Sequence, residues 1–312
     1  MSVPQQDATA PIRTFLYVPS TRPEWVRKAL AAEPDAVILD LEDSVELKEK
    51  PRARALVPAE IETIRLNGTF ACVKLNAMDA GALEDVRACV RPGLTAVLLP
   101  KASSPGEIMR LADALSEAEI TVGLSPGQVG IIPMPETLAG MYAAHEIAKA
   151  SPRVRGLMTT LGVLSGDVAY AFGFRPTIDG REQLYLQSKI ILDSRAAGAM
   201  SPICGVFAPR IDDLEAIELL VQRAKQLGFS GVTLIHPSQV KIANAVFRPT
   251  EEEVAYFEGL IAAMNDGHSQ GLGAVRYRGA MIDLAMLPLA QQVVEEAKRH
   301  RLRDSRRNAN AR

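Results

Sequence analysis

Short apolar runs alternate with longer segments of helical period along most of the chain. The runs are Thr14 to Val18, Ala36 to Leu41, Phe70 to Leu75, Ala96 to Leu99, Gly130 to Met134, Val154 to Thr159, Ser201 to Val206 and Gly231 to Ile235. Their brevity and near-continuous apolar character predict strands buried on both faces, as in a parallel sheet. The segments between them have room for the helical crossovers that parallel strands require. Pro23-Glu24-Trp25 and Ser104-Pro105 read as helix starts, with proline in the first turn where no backbone donor is needed. Eight such βα units predict a closed TIM (β/α)8 barrel rather than an open doubly wound sheet. No Gly-x-Gly-x-x-Gly or Gly-x4-Gly-Lys element follows a strand to mark a nucleotide crevice.

Beyond Phe247 the pattern changes. Pro249-Thr250-Glu251-Glu252-Glu253 opens a helix with an acidic first turn, and a glycine-rich stretch from Asp266 to Gly273 follows. The expected organisation is an N-terminal tail over 1–12, a barrel over 13–248, a small helical lid segment over 249–298 and a basic tail over 299–312. That tail carries His300, Arg301, Arg303, Arg306, Arg307 and Arg312 and reads as a frayed, solubilising end. Thr160 to Arg181 is the longest connection with little helical period, a place for a lid loop.

With 312 residues, 47% of them hydrophobic, the chain can bury a full barrel core. A net charge of -2 gives no sign of a nucleic-acid surface. Cys72, Cys89 and Cys204 are odd in number and lack metal or redox spacing, which suits a reducing, cytoplasmic setting. The first twelve residues have no apolar core of a signal peptide, and no run reaches the roughly 18 apolar residues of a membrane span.

Chemistry-bearing residues stand just past the runs. Asp40 and Glu42 follow Ala36-Val-Ile-Leu39 of the second, Lys74 and Asn76 close Ala71-Cys-Val-Lys-Leu75 of the third, and Lys101 follows the fourth. Glu136 follows the fifth, Asp167 lies beyond the sixth, and His236 caps the eighth. A TIM barrel gathers strand ends into one mouth, where its active site lies. Glu136 and Asp167 could there share a hard divalent ion such as Mg²⁺, which accepts two carboxylates plus water and substrate oxygens. Alternatively, Glu136 caps the helix beginning near Thr137 and Asp167 pairs with an arginine such as Arg175. Zinc is disfavoured because His145, His236, His268 and His300 are dispersed. Alternation along an extended segment puts Asp40 and Glu42 on one side, where Lys74, Lys101 or Arg22 could neutralise them, unless the segment is a solvated acidic turn. Lys74 and Lys101 each read either as an electrostatic catalyst or as a Schiff-base lysine. His236 reads as a helix-start residue or a substrate contact.

Taken together these residues resemble the citrate lyase beta subunit, malyl-CoA lyase and citramalyl-CoA lyase group of the HpcH/HpaI aldolases. The carriers are Arg13-Thr-Phe-Leu-Tyr-Val-Pro-Ser-Thr-Arg-Pro23, Ala36-Val-Ile-Leu-Asp-Leu-Glu-Asp-Ser-Val45, Leu99-Pro-Lys101, Pro135-Glu-Thr-Leu-Ala-Gly140, Ile235-His-Pro-Ser-Gln239 and Gly279-Ala-Met-Ile-Asp283. The resemblance runs from Arg13 to about Ala297. It implies a TIM barrel with a C-terminal lid, assembled as a homotrimer, with Mg²⁺ on Glu136 and Asp167. It also implies an acyl-CoA or acyl carrier thioester as substrate. Tyr17, Arg22, Lys28, Ile235 and His236 then fall on the coenzyme A side, and Glu42 and Lys74 in the catalytic pocket. Asp283 matches an acid or base that the lid of a neighbouring subunit contributes.

Three positions depart from the group's pattern. Lys74 replaces an arginine of an Arg-x-Asn motif, exchanging a planar fork for a point charge. The approach to Asp167 lacks the usual Gly-x-Glu-Asp, and Leu284-Ala285 replaces Ala-Pro after the lid aspartate. The expected activity is Mg-dependent cleavage of malyl-CoA, citramalyl-CoA or a citryl thioester into an acyl-CoA and a 2-oxo acid. A malyl-CoA-type thioesterase, or a non-catalytic subunit or ligand-binding homologue, is the alternative. Specificity is expected to depend on the space around Met78, Leu138 and Phe172.

Overall fold

The computed structural model describes residues 12–162 and 166–310. Residues 1–11, the Val163 to Ser165 approach to Asp167 and the last two residues lie outside the described residues. The chain falls into two compact units, Ile12–Val246 and the residues from Phe247 onward.

The first unit is an eight-stranded parallel barrel. Its strands are β1 (Thr14–Pro19), β2 (Ala36–Asp40), β3 (Phe70–Lys74), β4 (Leu94–Leu99), β5 (Gly130–Pro133), β6 (Met158–Gly162), β7 (Ile203–Phe207) and β8 (Gly231–Leu234). Their order is β5-β4-β3-β2-β1-β8-β7-β6, with helices between successive strands. The circle closes through one parallel bridge, Ile131 to Val154. There the Ile131 N–H donates to the Arg153 carbonyl at 2.8 Å, and the Arg155 N–H to the Ile131 carbonyl at 3.0 Å.

The sixth apolar run is therefore divided. Val154 supplies the bridge, and the strand itself starts only at Met158. Gly156 sits at the offset, where a Cβ would lie 1.9 Å from the Ser201 carbonyl oxygen. The expected structureless connection after Thr160 is also corrected: β6 runs to Gly162, and a helix spans Gly166–Phe172.

Alternation sorts each strand into an inward and an outward set. Phe15, Ala36, Ile38, Phe70, Cys72, Ala96, Leu98, Ile132, Met134, Met158 and Ile203 fill the barrel as one cluster. Register then fixes what comes next. Tyr17 pairs with Ile38, Ile38 with Cys72, and Asp40 with Lys74, so the same inward parity carries Tyr17, Asp40 and Lys74 toward the C-terminal mouth.

The second unit holds a helix over Glu251–Ser269, a hairpin of β9 (Ala274–Tyr277) and β10 (Ala280–Asp283), and a helix over Leu287–Asn310. Thr250 and Glu253 form a capping box at the first helix. The hairpin turns on Arg278 and Gly279, both at positive φ (46° and 88°), as a two-residue turn requires. Leu260, Met264, Ile282 and Ala290 form the unit's core. The segment expected to fray beyond residue 298 continues the last helix to Asn310, and Arg301 ties it to Glu251 at 2.9 Å.

Candidate active site

A cavity of about 640 Å³ opens at the C-terminal ends of the barrel strands. Tyr17, Lys28, Lys74, Glu136, Asp167, Ile235 and His236 all border it, so most residues singled out from sequence converge on one space. Asp40 and Asp43 border it as well, while Leu16, Met134, Met158 and Phe207 supply apolar wall.

The inner end is built around Lys74. Its side chain is only 11% exposed, and its ammonium pairs with Oε2 of Glu42. It also lies 6.0 Å from the centre of the Tyr17 ring, and the Tyr17 hydroxyl points at the Met158 sulfur, 4.0 Å away. Burial alone pulls the Lys74 pKa down, but Tyr17, Asp40, Glu42 and Glu136 together outweigh it and hold it above the ordinary lysine value.

Glu42 is correspondingly not a wall residue. Its Oε1 accepts from Lys101 Nζ at 3.0 Å, so the carboxylate is taken up between two ammoniums. It does not border the cavity itself but holds the Lys74 and Lys101 ammoniums beside it. Lys101 is likewise held above the ordinary value, because the bond to Glu42 and the charges of Glu42, Asp43 and Asp167 outweigh its partial burial. A Schiff base needs a neutral amine, so neither lysine is set up as a carbonyl nucleophile.

Glu136 stands 8% exposed after β5. Its Oε2 accepts from the Lys101 backbone N–H at 3.3 Å. Burial raises its pKa to about 7; Lys74 opposes the shift, while Glu42 and Asp167 add to it. Thr137, not Glu136, caps the helix Leu138–Tyr142, accepting from the Gly140 N–H at 3.0 Å. Gly140 is needed here because a Cβ would fall 2.1 Å from the Ala102 carbonyl oxygen, locking the Glu136 turn against the Lys101 turn. Asp167, half-exposed in the first turn of Gly166–Phe172, faces Lys101 Nζ at 3.7 Å.

The donor set fits a hard divalent cation. Five carboxylates (Asp40, Glu42, Asp43, Glu136 and Asp167) crowd the region of two ammoniums, and an underneutralised, buried Glu136 would favour added positive charge. Among the described residues no group of three or more His, Cys, Asp or Glu could hold a metal by itself. A cation here would therefore take Glu136 and Asp167 and complete its shell with water and substrate oxygens, the habit of Mg²⁺.

Several expectations change. Asn76 does not join Lys74 at the mouth: its backbone and side-chain N–H groups donate to Asp85 at 2.7 and 2.8 Å, and its carbonyl accepts from Lys50. Lys50 also donates to the Leu41 and Glu42 carbonyls at 2.8 and 3.1 Å, fixing the turn that carries Glu42. The sequence signal for Lys50 was its position at the start of a helix, where a cation opposes the dipole. Met78, Leu138 and Phe172 do not line the cavity; its apolar wall includes Met134, Met158 and Phe207, the inward parity of their strands.

On the opposite side, the helix Pro23–Ala31 presents Trp25 and Lys28, one turn apart, to the cavity. Arg22 is not a wall residue; its guanidinium lies over the Trp25 ring at 5.7 Å. Trp25 carries no polar signal in the sequence, but i, i+3 spacing from Lys28 places it on the same helix face. His236 both lines the cavity and caps its 3-10 turn, accepting from the Ser238 N–H at 3.3 Å. Asp283 belongs to the second unit, where it ends β10 and accepts from the Ala285 N–H at 3.0 Å.

The fold and site define a TIM-barrel protein with a carboxylate-rich, cation-accepting mouth. Residues 13–237 match the HpcH/HpaI aldolase/citrate lyase family, and the chain belongs to that family. It is 31% identical to the citrate lyase subunit beta of Leuconostoc mesenteroides subsp. cremoris, over 95% of this chain and 96% of that one. It is also 31% identical to the (3S)-malyl-CoA thioesterase of Cereibacter sphaeroides, over 92% and 95% of the two chains. The structure of CitE from Mycobacterium tuberculosis in complex with magnesium, acetoacetate and coenzyme A is similar, with a TM-score of 0.71 and 28% identity, covering 93% of this chain and 99% of that one.

Proposed function

We propose that this protein is a carbon-carbon lyase that cleaves a 3-hydroxyacyl thioester (malyl-CoA, citramalyl-CoA or a citryl thioester) into an acyl-CoA and a 2-oxo acid, with Mg²⁺ on Glu136 and Asp167. The observation that carries this reading is a buried Glu136 carboxylate, bordering one cavity with Asp167 beside the protonated Lys74 and Lys101. Family membership and the magnesium and coenzyme A of the CitE complex support it.

In the cleavage direction the bond between the hydroxyl-bearing carbon and the acyl α-carbon breaks. Its electron pair remains with the thioester as an enolate, the hydroxyl-bearing carbon becomes the carbonyl carbon of the 2-oxo acid, and the hydroxyl proton passes to solvent. Bound Mg²⁺ would supply a Lewis acid for that carbonyl oxygen and its neighbouring carboxylate. Lys74, kept charged by Glu42 and largely buried, offers positive charge to the enolate oxygen. Tyr17, expected on the coenzyme A side, stands beside Lys74 at the inner end, and on this reading it would meet the reacting end of the thioester instead. Lys28, Trp25, Ile235 and His236 border the same cavity and would receive the coenzyme side, with Arg22 supporting the Trp25 ring. Asp283 would protonate the enolate carbon, delivered from a neighbouring subunit of a homotrimer. The three cysteines are free and buried, which accords with a cytoplasmic protein. No helix among the described residues is long and apolar enough to cross a membrane.

The test is to incubate the purified protein and Mg²⁺ separately with malyl-CoA, citramalyl-CoA and citryl-CoA and to resolve products by mass spectrometry. Equal amounts of acetyl-CoA and a 2-oxo acid from one of them are expected. Free coenzyme A with the intact hydroxy acid would replace the lyase with a thioesterase, the activity named for the Cereibacter sphaeroides relative. No turnover would favour a non-catalytic subunit.

A further inference from the structure

The Lys101 ammonium neither receives nor gives a bond in the proposed cleavage. Lys101 follows β4 with φ at 53°, a left-handed conformation that residues with a Cβ rarely hold and glycine holds readily. Two sets of contacts use that conformation. The backbone N–H donates to Glu136 Oε2 at 3.3 Å. The side chain turns the other way, placing Nζ 3.0 Å from Glu42, 3.9 Å from Asp43 and 3.7 Å from Asp167. One residue thus touches both carboxylates of the proposed metal pair, one through its backbone and one through its charge.

Glu42 and Asp167 hold the ammonium differently. Glu42 is buried and accepts a direct hydrogen bond, whereas Asp167 is half-exposed and lies beyond hydrogen-bonding distance. The Lys101 side chain is itself 36% exposed, which leaves Nζ room to move.

Resting on the magnesium reading, we infer that Lys101 is a positioning residue and a built-in competitor for the metal site. Its ammonium neutralises Asp167 while the site is empty and gives Asp167 up, remaining on Glu42 and Asp43, when a divalent cation is held. The left-handed backbone is what lets one residue orient Glu136 and guard Asp167 together. Charge, not the backbone, sets the competition.

Calorimetric titration of MgCl₂ into the full-length protein, without substrate, separates these parts. Lys101→Met and Lys101→Gly are both expected to bind Mg²⁺ about three- to fivefold more tightly than the parent, the size of a partly exposed ion pair. That gain should shrink as salt is raised. Lys101→Gly should also melt at a higher temperature than Lys101→Met, because glycine relieves the left-handed strain. Equal or weaker Mg²⁺ binding in both variants, with binding intact in the parent, would overturn the competitor role and leave the metal reading standing. Absence of Mg²⁺ binding in the parent would overturn both.

Discussion

Glu136 is where burial and charge act most directly on chemistry. Its pKa of about 7 lies above the ordinary 4.5, chiefly through burial. Between those values the metal-free folded chain holds a proton that the unfolded chain has released. This group's contribution to stability is therefore present below pH 4.5 and is lost as pH rises through about 7. Thermal unfolding of the metal-free parent and of Glu136→Gln across that range should show a steeper fall with rising pH in the parent. Added Mg²⁺ should offset the fall at the upper end, because it binds the deprotonated carboxylate. Identical pH dependence in the two proteins would contradict the assigned burial. In the sequence, Glu136 and Lys101 were legible because each follows an apolar run, Lys74 because it interrupts one, and Asp167 because it lies past the sixth. Glu42 and Asn76 were legible as polar residues but not in their roles, since which carboxylate meets which cation depends on side-chain reach between strands.

At the scale of elements, parity along each strand carries most of the site. Met134, Met158 and Phe207 could have been placed in the wall by counting twos from the strand cores, whereas Met78, Leu138 and Phe172 lie outside that count. The sixth strand was misplaced because apolarity does not report where pairing shifts: Val154 bridges β5, then Gly156 lets the chain pass close to Ser201 before β6 begins. The turns after β4 and β5 are joined at Gly140, which packs on the Ala102 carbonyl. Gly140→Ala must move backbone on one side or the other, shifting Lys101 or Glu136. A loss of about 1–3 kcal/mol in urea denaturation and weaker Mg²⁺ binding are expected together. Gly106→Ala, in the first turn of a helix with only the Ser104 hydroxyl within ordinary contact at 3.9 Å, serves as the control and should be neutral or slightly stabilising. Unchanged stability in Gly140→Ala would mean that the two turns are not locked together.

Across the whole molecule, eight βα repeats were readable because a parallel barrel must alternate buried strands with crossover helices. The last helix was not: the arginine-rich segment after residue 298 suggested a frayed end, but His300 carries the buried stripe of Ala290, Val294 and Ala297 past that point at helical spacing. Asp283 could not have been distinguished by polarity or position from any exposed aspartate; only the family motif marked it. The barrel gathers a carboxylate pair, two lysines and a cavity into a setting for magnesium-assisted cleavage. The most direct measurement is the rate of acyl-CoA and 2-oxo acid formation as a function of Mg²⁺ for the parent, Glu136→Ala and Asp167→Ala, after treatment with a chelator. Saturable dependence on added Mg²⁺ in the parent and a loss of about 100-fold or more in each variant are expected, since several kcal/mol of transition-state stabilisation depend on the bound ion. Full turnover of the chelated parent, or of either variant, would rule out magnesium on Glu136 and Asp167.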